Sequence, residues 1–285
     1  MIDSSTSIYA VIGNPIKHSL SPKIHNAIFE KFHLNSSYCA FCIESSNIKQ
    51  FISSMKTLGI KGVNVTVPYK EVLVEYLDKC DKSVQRCGAV NTIVNHDGVT
   101  TGYNTDGIGF IYVLEHVLNI NLNKKNIVIL GAGGTAKSIG FSFIDTEIAS
   151  LSLLNRSKDN LHSLYTRLKS EAKTLDINAV QLQDNTIYDY LHNADIVINT
   201  TSLGMDVKDP LILKSMDWVS KHKTVIDVIY SPKETLFLKE ARLRGANTLN
   251  GLAMLAAQAM FASHLFTQEK IDFEFVFKQL ESNQR

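Results

Sequence analysis

The sequence predicts an α/β protein with two domains, and two patterns in the chain support that prediction. The first half alternates short apolar, strand-like runs with helical stretches, which is typical of a mostly parallel sheet with helices on its faces. From residue 126 the alternation restarts with NIVIL, a continuous apolar run of the kind found in a parallel strand buried on both sides. The chain has 285 residues, which is long for a single hydrophobic core and agrees with two domains.

Composition narrows the class of function. Hydrophobic residues make up 45% of the chain and charged residues 20%, as in an ordinary globular enzyme. The 29 basic and 28 acidic side chains leave almost no net charge, so no overall field favours nucleic acid or an anionic membrane. The N-terminal stretch MIDSSTSIYAVIG lacks the pattern of a signal peptide, and no apolar run is long enough to span a bilayer. We therefore expect a cytoplasmic protein.

Five strands are expected in the first half, with sequences IYAVIG, SSYCAFCIE, GVNVTV, AVNTIVN and GVTTGYNTD. The last two flank the turn HDG, which indicates a hairpin. Cys39 and Cys42 have the C-x-x-C spacing of some zinc and redox sites. In a strand these two positions point to opposite faces, and no second pair of ligands follows, so we expect core thiols and no metal site.

The strand GVNVTV is followed by residues of a different character. The valines of VNVTV alternate with Asn64 and Thr66, which predicts one apolar and one polar face. Pro68 cannot donate to a sheet ladder, so Lys70 comes just beyond the end of the strand. Two interpretations remain: a solvated sheet face with a surface lysine, or a row of hydrogen-bonding groups directed at one place.

A glycine-rich turn follows NIVIL, with the spacing G-x-G-x-x-A between a buried strand and a helix. The first glycine permits a tight turn, the second lets the backbone approach a pyrophosphate, and the small third residue lets helix and strand pack closely. Because free N–H groups of the helix N-terminus face such an anion, we expect a dinucleotide site rather than a plain αβ turn. The expected contact residues are Gly131, Ala132, Gly133, Gly134, Thr135 and Ala136.

The next strand, ASLSLL, indicates which dinucleotide binds. NAD enzymes commonly carry an acid at the end of this strand, where it binds the ribose 2′-hydroxyl. This chain instead has Asn155, Arg156 and Ser157, and a guanidinium can pair with a 2′-phosphate or stack on the adenine. NADP is therefore favoured over NAD, with an ordinary surface arginine as the other interpretation.

Polar residues outside this second domain form further clusters. In HSLSPKIHN, Ser21 precedes a proline and has the pattern of a helix N-cap, whereas Ser19 has no such structural duty. Asn91 lies inside the apolar strand GAVNTIV and is either satisfied by backbone groups or turned toward a ligand. Asp106, in GYNTDGIGF, is placed to cap the helix that follows.

Eight segments, taken in order, resemble the motifs of shikimate dehydrogenases. They are GNPIKHSLSPKIHN, GVNVTVPYK, GAVNTIV, GYNTDGIGF, GAGGTAKSI, NRS, NTTSLGM and NGLAMLAAQ. The resemblance implies a substrate domain at residues 1–106 and 251–285, to which the final helices return, and a Rossmann-like NADP domain at residues 107–250. It also implies the reversible, NADP-dependent reduction of 3-dehydroshikimate to shikimate, on the route to chorismate and the aromatic amino acids.

The same resemblance implies roles for single residues. Ser19, Ser21 and Tyr230 would hold the substrate carboxylate. Lys70 and Asp106 would form the catalytic pair, which we treat as a unit because the sequence leaves open which of them carries the proton. The ring hydroxyls would be bound by Asn64, Thr66, Asn91, Asp106 and Gln258. Further cofactor contacts would come from Thr200, Ser202 and Gly251. A homodimer is an additional expectation.

Two alternatives stay open at this stage. A quinate/shikimate dehydrogenase that uses NAD is the nearest, although the arginine at the end of ASLSLL argues against it. A non-catalytic homologue on the same fold would be expected to lack Lys70 or Asp106, and both are present. The chain departs from the family pattern at Ala253, where a glycine is usual. Alanine there either shifts the nicotinamide pocket or stabilises an ordinary helix.

Overall fold

The structure, a computed structural model, describes residues 2–282, and the chain divides into two compact units. The first unit contains the residues up to Gly109 and those from Ala256 onward, and the second runs from Phe110 to Leu255. The chain passes between the units inside two helices rather than in loops, so these limits differ by a few residues from the boundaries expected from the sequence. The expected domain ends at residues 1 and 285 lie outside the described residues.

The first unit is built on a six-stranded mixed sheet. Its strands are β1 (Ser7–Gly13), β2 (Ser36–Cys42), β3 (Gly62–Val65), β4 (Lys79–Cys80), β5 (Thr92–His96) and β6 (Val99–Tyr103). Their order is β2-β1-β3-β5-β6-β4. β1 is parallel to β2 and β3, whereas β5 is antiparallel to β3 and β6. The β5–β6 hairpin turns at Asp97 and Gly98, both with positive φ, which confirms the hairpin predicted from HDG.

The second unit is a doubly wound parallel sheet, as the sequence predicts. Its strands are β7 (Asn126–Leu130), β8 (Ser150–Asn155), β9 (Asp176–Gln181), β10 (Ile196–Asn199), β11 (Thr224–Asp227) and β12 (Asn247–Leu249). Their order is β12-β11-β10-β7-β8-β9, and all neighbours pair in parallel. The strand order reverses beside β7, so the loops after β7 and β10 lie next to each other at the carboxyl ends, where such sheets bind ligands.

Helices pack against both sheets. The α-helices of the described chain are α1 (Ser21–Lys31), α2 (Ile48–Thr57), α3 (Lys82–Cys87), α4 (Thr105–Tyr112), α5 (Gly134–Ser142), α6 (Lys158–Glu171), α7 (Ile187–Asn193), α8 (Leu236–Leu243), α9 (Leu252–Thr267) and α10 (Phe273–Glu281). Short 3₁₀ turns lie at Ser45–Asn47 and Val72–Tyr76, and a π-helical turn at Val113–Val117 continues α4.

The strand β3 has the predicted apolar face and polar face, but both of them are buried, so the interpretation of a solvated sheet face is wrong. β3 lies between β1 and β5 inside the sheet, and all four of its residues are buried. Val63 and Val65 join the apolar cluster that contains the buried residues of α2. Asn64 lies on the other face and is also buried. Val67, expected on the apolar face, follows the end of the strand and is 64% exposed.

The prediction that Cys39 and Cys42 are core thiols is also wrong. Cys39 is partly exposed and Cys42 is exposed, and both lie on β2, an edge strand of its sheet. Within residues 2–282, no group of three or more His, Cys, Asp or Glu side chains is placed to hold a metal ion. Every helix within residues 2–282 is too short or too polar to cross a membrane.

A neutral histidine lies in the core of the first unit. His25 of α1 is buried, and this burial lowers its pKa to about 3. Its ring stacks on Tyr38 with the ring centroids 4.2 Å apart, and Nδ1 lies 2.9 Å from Oγ of Ser263 on α9. His25 therefore packs as an aromatic core residue with one polar contact.

We predict that His25 makes the protein sensitive to acid. Its ordinary pKa is 6.5 and its folded pKa is about 3, so its contribution to stability is present above pH 6.5 and is lost as the pH falls toward 3. Between pH 7 and pH 5, the free energy of unfolding should fall by about 2 kcal/mol more in the wild type than in His25→Phe. Urea titrations followed by circular dichroism measure this difference. Equal losses in the two proteins would show that His25 titrates normally in the folded state.

Candidate active site

Lys70 and Asp106 form an ion pair in the first unit. Nζ of Lys70 donates to Oδ2 of Asp106 over 2.6 Å, and the two side chains are 18% and 6% exposed. Lys70 lies in the segment after β3, and Asp106 lies in the first turn of α4. The lysine therefore keeps access to solvent while its partner is buried, an arrangement in which a proton can move between a bound molecule, the pair and water.

Asp106 does not cap α4, contrary to the prediction from the sequence. Asn104 does so, because its Oδ1 accepts a hydrogen bond from the backbone N–H of Asp106 over 3.1 Å. The Asp106 carboxylate is therefore available to other side chains. Its Oδ1 accepts from Nδ2 of Asn91 over 2.8 Å, while its Oδ2 faces Lys70.

Asn91 orients this carboxylate and is itself held on every side. Its Nδ2 also donates to Oγ1 of Thr105 over 2.9 Å. Its Oδ1 accepts from the backbone N–H of Thr105 and from the hydroxyl of Thr92, each over 2.9 Å. Neither of the two expected alternatives, backbone satisfaction or a free side chain, describes it fully. The partners are mainly side chains, and one of them is the candidate catalytic acid.

Further hydrogen bonds continue from Asn91 across the sheet. Nδ2 of Asn64 donates to the carbonyl of Asn91 over 3.1 Å and to Oγ1 of Thr92 over 3.0 Å. Oδ1 of Asn64 accepts from the hydroxyl of Tyr38 over 2.6 Å, and Tyr38 is hydrogen-bonded to the side chain of Ser21. We call this set the polar network. Its members, in order of contact, are Ser21, Tyr38, Asn64, Thr92, Asn91, Asp106 and Lys70.

At the start of α1, the roles of the two serines of HSLSPKIHN are the reverse of those predicted from the sequence. Leu20, not Ser21, is the N-cap residue of α1, and Ser21 is the first helical residue. Oγ of Ser19 accepts from the N–H of Ser21 over 3.3 Å, so Ser19 serves the start of the helix. Ser19 and Ser21 are both partly exposed and stay candidates for binding a carboxylate.

Two other predicted substrate residues border this region. Thr66 follows β3 and is partly exposed, and its hydroxyl makes no hydrogen bond to the other residues that the structure describes. Gln258 lies on α9 where α4 approaches closely, since a Cβ added at Gly109 would lie 2.8 Å from the backbone nitrogen of Gln258. Gly109 is one turn beyond Asp106, so α9 brings Gln258 to the helix that carries the candidate acid.

In the second unit, the loops after β7, β8 and β10 line a cleft of about 700 Å³. The predicted cofactor residues in its lining are Gly131, Ala132, Gly133, Asn155, Arg156, Thr200 and Ser202. Those outside the lining, in the described chain, are Gly134, Thr135, Ala136, Ser157 and Gly251. Gln183, Tyr188 and Lys214 also line the cleft. Sequence reasoning missed them because they lie outside the recognised motifs.

The first two glycines of the turn differ in what fills the space beside them. Gly131 has a φ of 117°, and a Cβ there would lie 2.5 Å from Oγ1 of Thr200, so the backbone and its neighbour both require glycine. Gly133 is the N-cap of α5 with a φ of −85°, and a Cβ there would meet no atom of residues 2–282 within 4 Å. This open space at a helix N-terminus fits a pyrophosphate.

The end of β8 presents an arginine between two fixed neighbours. Nδ2 of Asn155 donates to the carbonyl of Ser157 over 2.9 Å, and the hydroxyl of Ser157 caps α6 by accepting from the N–H of Asn160. Arg156 is exposed and makes no ion pair with any residue in the described part of the chain. Its guanidinium is therefore available to a phosphate at the rim of the cleft.

A buried carboxylate fixes the loops after β10 and β11. Asp227 accepts from Nδ2 of Asn199 over 3.1 Å, from Oγ1 of Thr235 over 2.7 Å and from the N–H of Ile229 over 3.1 Å. Burial raises the pKa of this carboxyl. Oδ1 of Asn199 in turn accepts from the N–H of Thr201. Asp227 thereby positions the loops that carry predicted cofactor and substrate residues.

Tyr230 and Gly251 lie near the end of β11. Tyr230 is half-buried, and burial raises its pKa. The N–H of Gly251 donates to the carbonyl of Ile229 over 3.0 Å, and a Cβ at Gly251 would overlap the carbonyl of Val228. Packing alone thus requires glycine at this position. Ala253 occupies an ordinary buried position in α9, where alanine favours the helix.

Comparison with known proteins gives matches along most of the chain. A family model described as the shikimate dehydrogenase substrate binding domain matches residues 11–93. A second model, described as shikimate/quinate 5-dehydrogenase, matches residues 113–228. The curated shikimate dehydrogenase (NADP(+)) of Methanosphaera stadtmanae is 43% identical over 284 residues, which is 98% of this chain and 98% of that protein.

Solved structures have the same fold. A crystal structure of a shikimate dehydrogenase in complex with NADP+ matches with a TM-score of 0.91 at 35% identity, over 100% of this chain and 98% of that one. Shikimate 5-dehydrogenase from Listeria monocytogenes, solved in complex with shikimate and NAD, matches with a TM-score of 0.91 at 30% identity, over 98% of each chain.

We predict that Gly133→Ala weakens the binding of NADPH while the fold is kept. The added methyl group meets no described atom but enters the space that fits a pyrophosphate, so the Kd for NADPH should rise at least about tenfold, and stability should change by less than about 1 kcal/mol. Gly140→Ala is the control, since Gly140 lies in α5 and a Cβ there would make only ordinary contacts with Leu168 of α6 and Ile129 of β7. Fluorescence titration and thermal unfolding provide both measurements. Wild-type affinity in Gly133→Ala would contradict this position for the pyrophosphate.

Proposed function

The chain belongs to the shikimate dehydrogenase family, and we propose that its Lys70–Asp106 pair carries out the proton transfer of the reaction. The protein is an NADP-dependent oxidoreductase that acts on a secondary CH–OH group and interconverts shikimate and 3-dehydroshikimate. The reaction belongs to the route toward chorismate and the aromatic amino acids. The observation that carries the proposal is the ion pair of 2.6 Å at the end of the polar network.

Oxidation of a secondary alcohol removes a hydride from carbon and a proton from oxygen. Bound NADP supplies the acceptor for the hydride. In the proposal, the Lys70–Asp106 pair receives the hydroxyl proton during oxidation and returns it to the carbonyl oxygen during reduction. Because the two groups share a short hydrogen bond, the transfer is assigned to the pair as a unit. The partly exposed lysine then exchanges the proton with solvent.

The proposal assigns the first unit to the substrate. Ser19, Ser21 and Tyr230 are proposed to hold the carboxylate through neutral hydroxyl donors, which select by geometry as well as by strength. The proposed partners of the ring hydroxyls are Asn64, Thr66, Asn91, Asp106 and Gln258. The polar network supports this assignment because it fixes the amide and carboxylate groups relative to one another before any substrate binds.

The second unit is assigned to NADP, and its residues fit that cofactor. The space beside Gly133 accommodates a pyrophosphate, and Arg156 provides a cation where an NAD enzyme commonly has an acid. A carboxylate at that place would repel the 2′-phosphate, so the alternative of an NAD-dependent quinate enzyme is not favoured. Substrate and cofactor are the small-molecule partners. The homodimer and the cytoplasmic location stay predictions, and light scattering of the purified protein tests the first.

The reaction is tested by crossing shikimate and quinate with NADP and NAD and following the absorbance of the reduced nicotinamide. We expect turnover mainly with shikimate and NADP, because Arg156 favours the 2′-phosphate. Comparable turnover of quinate, or a preference for NAD, would contradict the assignment of substrate or cofactor respectively.

Lys70→Ala should reduce kcat at least about a thousandfold, since general acid–base catalysis and an oriented charge are lost together. The Kd for NADP should stay within about twofold of the wild type, because the lysine belongs to the substrate unit. Lys56→Ala is the matched control: Lys56 pairs with Asp78 over 2.7 Å in the same unit, and neither residue is a member of the polar network. A Lys70→Ala enzyme that retains kcat, or that loses NADP binding, would contradict the assigned role.

Arg156→Ala should raise the KM for NADP at least about tenfold and leave the KM for NAD nearly unchanged, because only NADP carries the 2′-phosphate. Arg244→Ala serves as the control, since Arg244 lies in the same unit and pairs with Glu240. Steady-state kinetics with both cofactors measure the effect. An equal change for NADP and NAD would show that Arg156 does not contact the phosphate.

A further inference from the structure

The hydroxyl of Tyr38 joins two predicted substrate residues that lie on different elements. Tyr38 is in the middle of β2 and is 3% exposed. Its Oη donates to Oδ1 of Asn64 on β3 over 2.6 Å and is also hydrogen-bonded to Ser21 at the start of α1. A tyrosine hydroxyl carries one proton, so the Ser21 hydroxyl donates its own proton to Tyr38. Tyr38 thus connects a proposed carboxylate ligand with a proposed ligand of a ring hydroxyl.

Tyr38 is held by its backbone as well as its ring. Nδ2 of Asn26 donates to its carbonyl, and its N–H donates to Oδ1 of Asn26, each over 2.9 Å. The ring stacks on His25 with an interplanar angle of 5°, and His25 is fixed in turn by Ser263. Few rotations are left to the side chain. Its hydroxyl is therefore a fixed point from which neighbouring polar groups take their orientation.

The fixed hydroxyl decides which hydrogen bonds Asn64 can still make. Both amide protons of Asn64 are used, on the carbonyl of Asn91 and on Oγ1 of Thr92. Its Oδ1 accepts from Tyr38 and keeps one lone pair. Asn64 can therefore accept one hydrogen bond from a substrate hydroxyl but has no proton left to donate.

We propose that Tyr38 is a positioning residue that sets the orientation of Ser21 and Asn64 for the substrate. This inference rests on the proposed function. When a carboxylate binds, the hydroxyl proton of Ser21 turns from Tyr38 to the carboxylate, while Tyr38 continues to donate to Asn64. One end of the substrate site thus changes its partner and the other end keeps its geometry.

Tyr38→Phe tests the proposal because it keeps the stacked ring and removes only the hydroxyl. The KM for shikimate should rise about tenfold, kcat should fall by less than about threefold, and the KM for NADP should stay within about twofold. The control is Tyr9→Phe, which removes another buried tyrosine hydroxyl of the same unit, one that donates to the carbonyl of Phe266 over 3.2 Å. A shikimate KM within twofold of the wild type, or equal rises in both variants, would overturn the proposal.

A double-mutant cycle separates positioning from general loosening of the unit. If Ser21 takes its orientation from Tyr38, the losses in kcat/KM for shikimate in Ser21→Ala and Tyr38→Phe should combine to less than their product. Losses that multiply fully would show that the two residues act independently and would contradict the proposal.

A second variant covers the case in which Tyr38→Phe does not fold. His25→Ala removes the ring that stacks on Tyr38, and it should raise the KM for shikimate at least about threefold with an unchanged KM for NADP. An unchanged KM for shikimate in this variant would overturn the proposal. An assay of the wild-type enzyme distinguishes a failure of the proposed function from a failure of the proposal for Tyr38. Absence of turnover of shikimate with NADP overturns the proposed function and this inference together, whereas normal wild-type turnover with an unaffected Tyr38→Phe enzyme overturns this inference alone.

Discussion

The burial of the Asp106 carboxylate is the constraint on which the first unit depends. A buried charge costs several kcal/mol unless a counter-charge and hydrogen-bond donors surround it, and Lys70 and Asn91 provide these. Asn91 can serve only if its own amide is fixed, which Thr92 and Thr105 achieve. The requirement passes from residue to residue as far as α1. The polar network thus follows from the need to pair each buried polar group, beginning with the Asp106 carboxylate. Once all its hydrogen bonds are made, the network orients a set of groups suited to a polyhydroxylated acid.

The second unit contains a buried carboxylate with the opposite character. Asp227 is held by a side-chain amide, a hydroxyl and a backbone N–H, which are neutral donors, and burial raises its pKa. Asp106, by contrast, has an ammonium as one partner. The paired acid is suited to proton transfer, whereas Asp227 is suited to holding two loops in place. Residue type and burial alone do not separate these roles, but the charge of the partner does.

The glycines of the two units also differ in whether the space beside them is filled by the protein or left open for a ligand. At Gly131 and Gly251 a side chain would collide with the protein itself, and at Gly109 it would collide with the backbone of α9. At Gly133 the neighbouring space is empty of described atoms. All four belong to recognisable motifs, yet among them only Gly133 has room beside it for a side chain. The atoms around each glycine therefore distinguish a packing requirement from room for a ligand.

Local patterns in the sequence predicted the G-x-G-x-x-A turn after a buried strand, the hairpin at HDG and the arginine after ASLSLL. The family resemblance predicted the pairing of Lys70 with Asp106. The hydrogen-bond partners of the polar side chains, and the exposure of the cysteines, became clear only in the folded structure. Asn104 rather than Asp106 caps α4, and Cys42 is exposed. Tyr38, which no sequence motif indicated, donates a hydrogen bond to Asn64. The contacts of Asn64 depend on strand order, because the order β2-β1-β3-β5 brings Tyr38 and Thr92 within hydrogen-bonding reach of Asn64, 26 and 28 residues away along the chain. A local sequence pattern indicates secondary-structure propensity and the spacing of residues. A hydrogen bond between residues far apart in the chain also requires the folded sheet to bring both partners together.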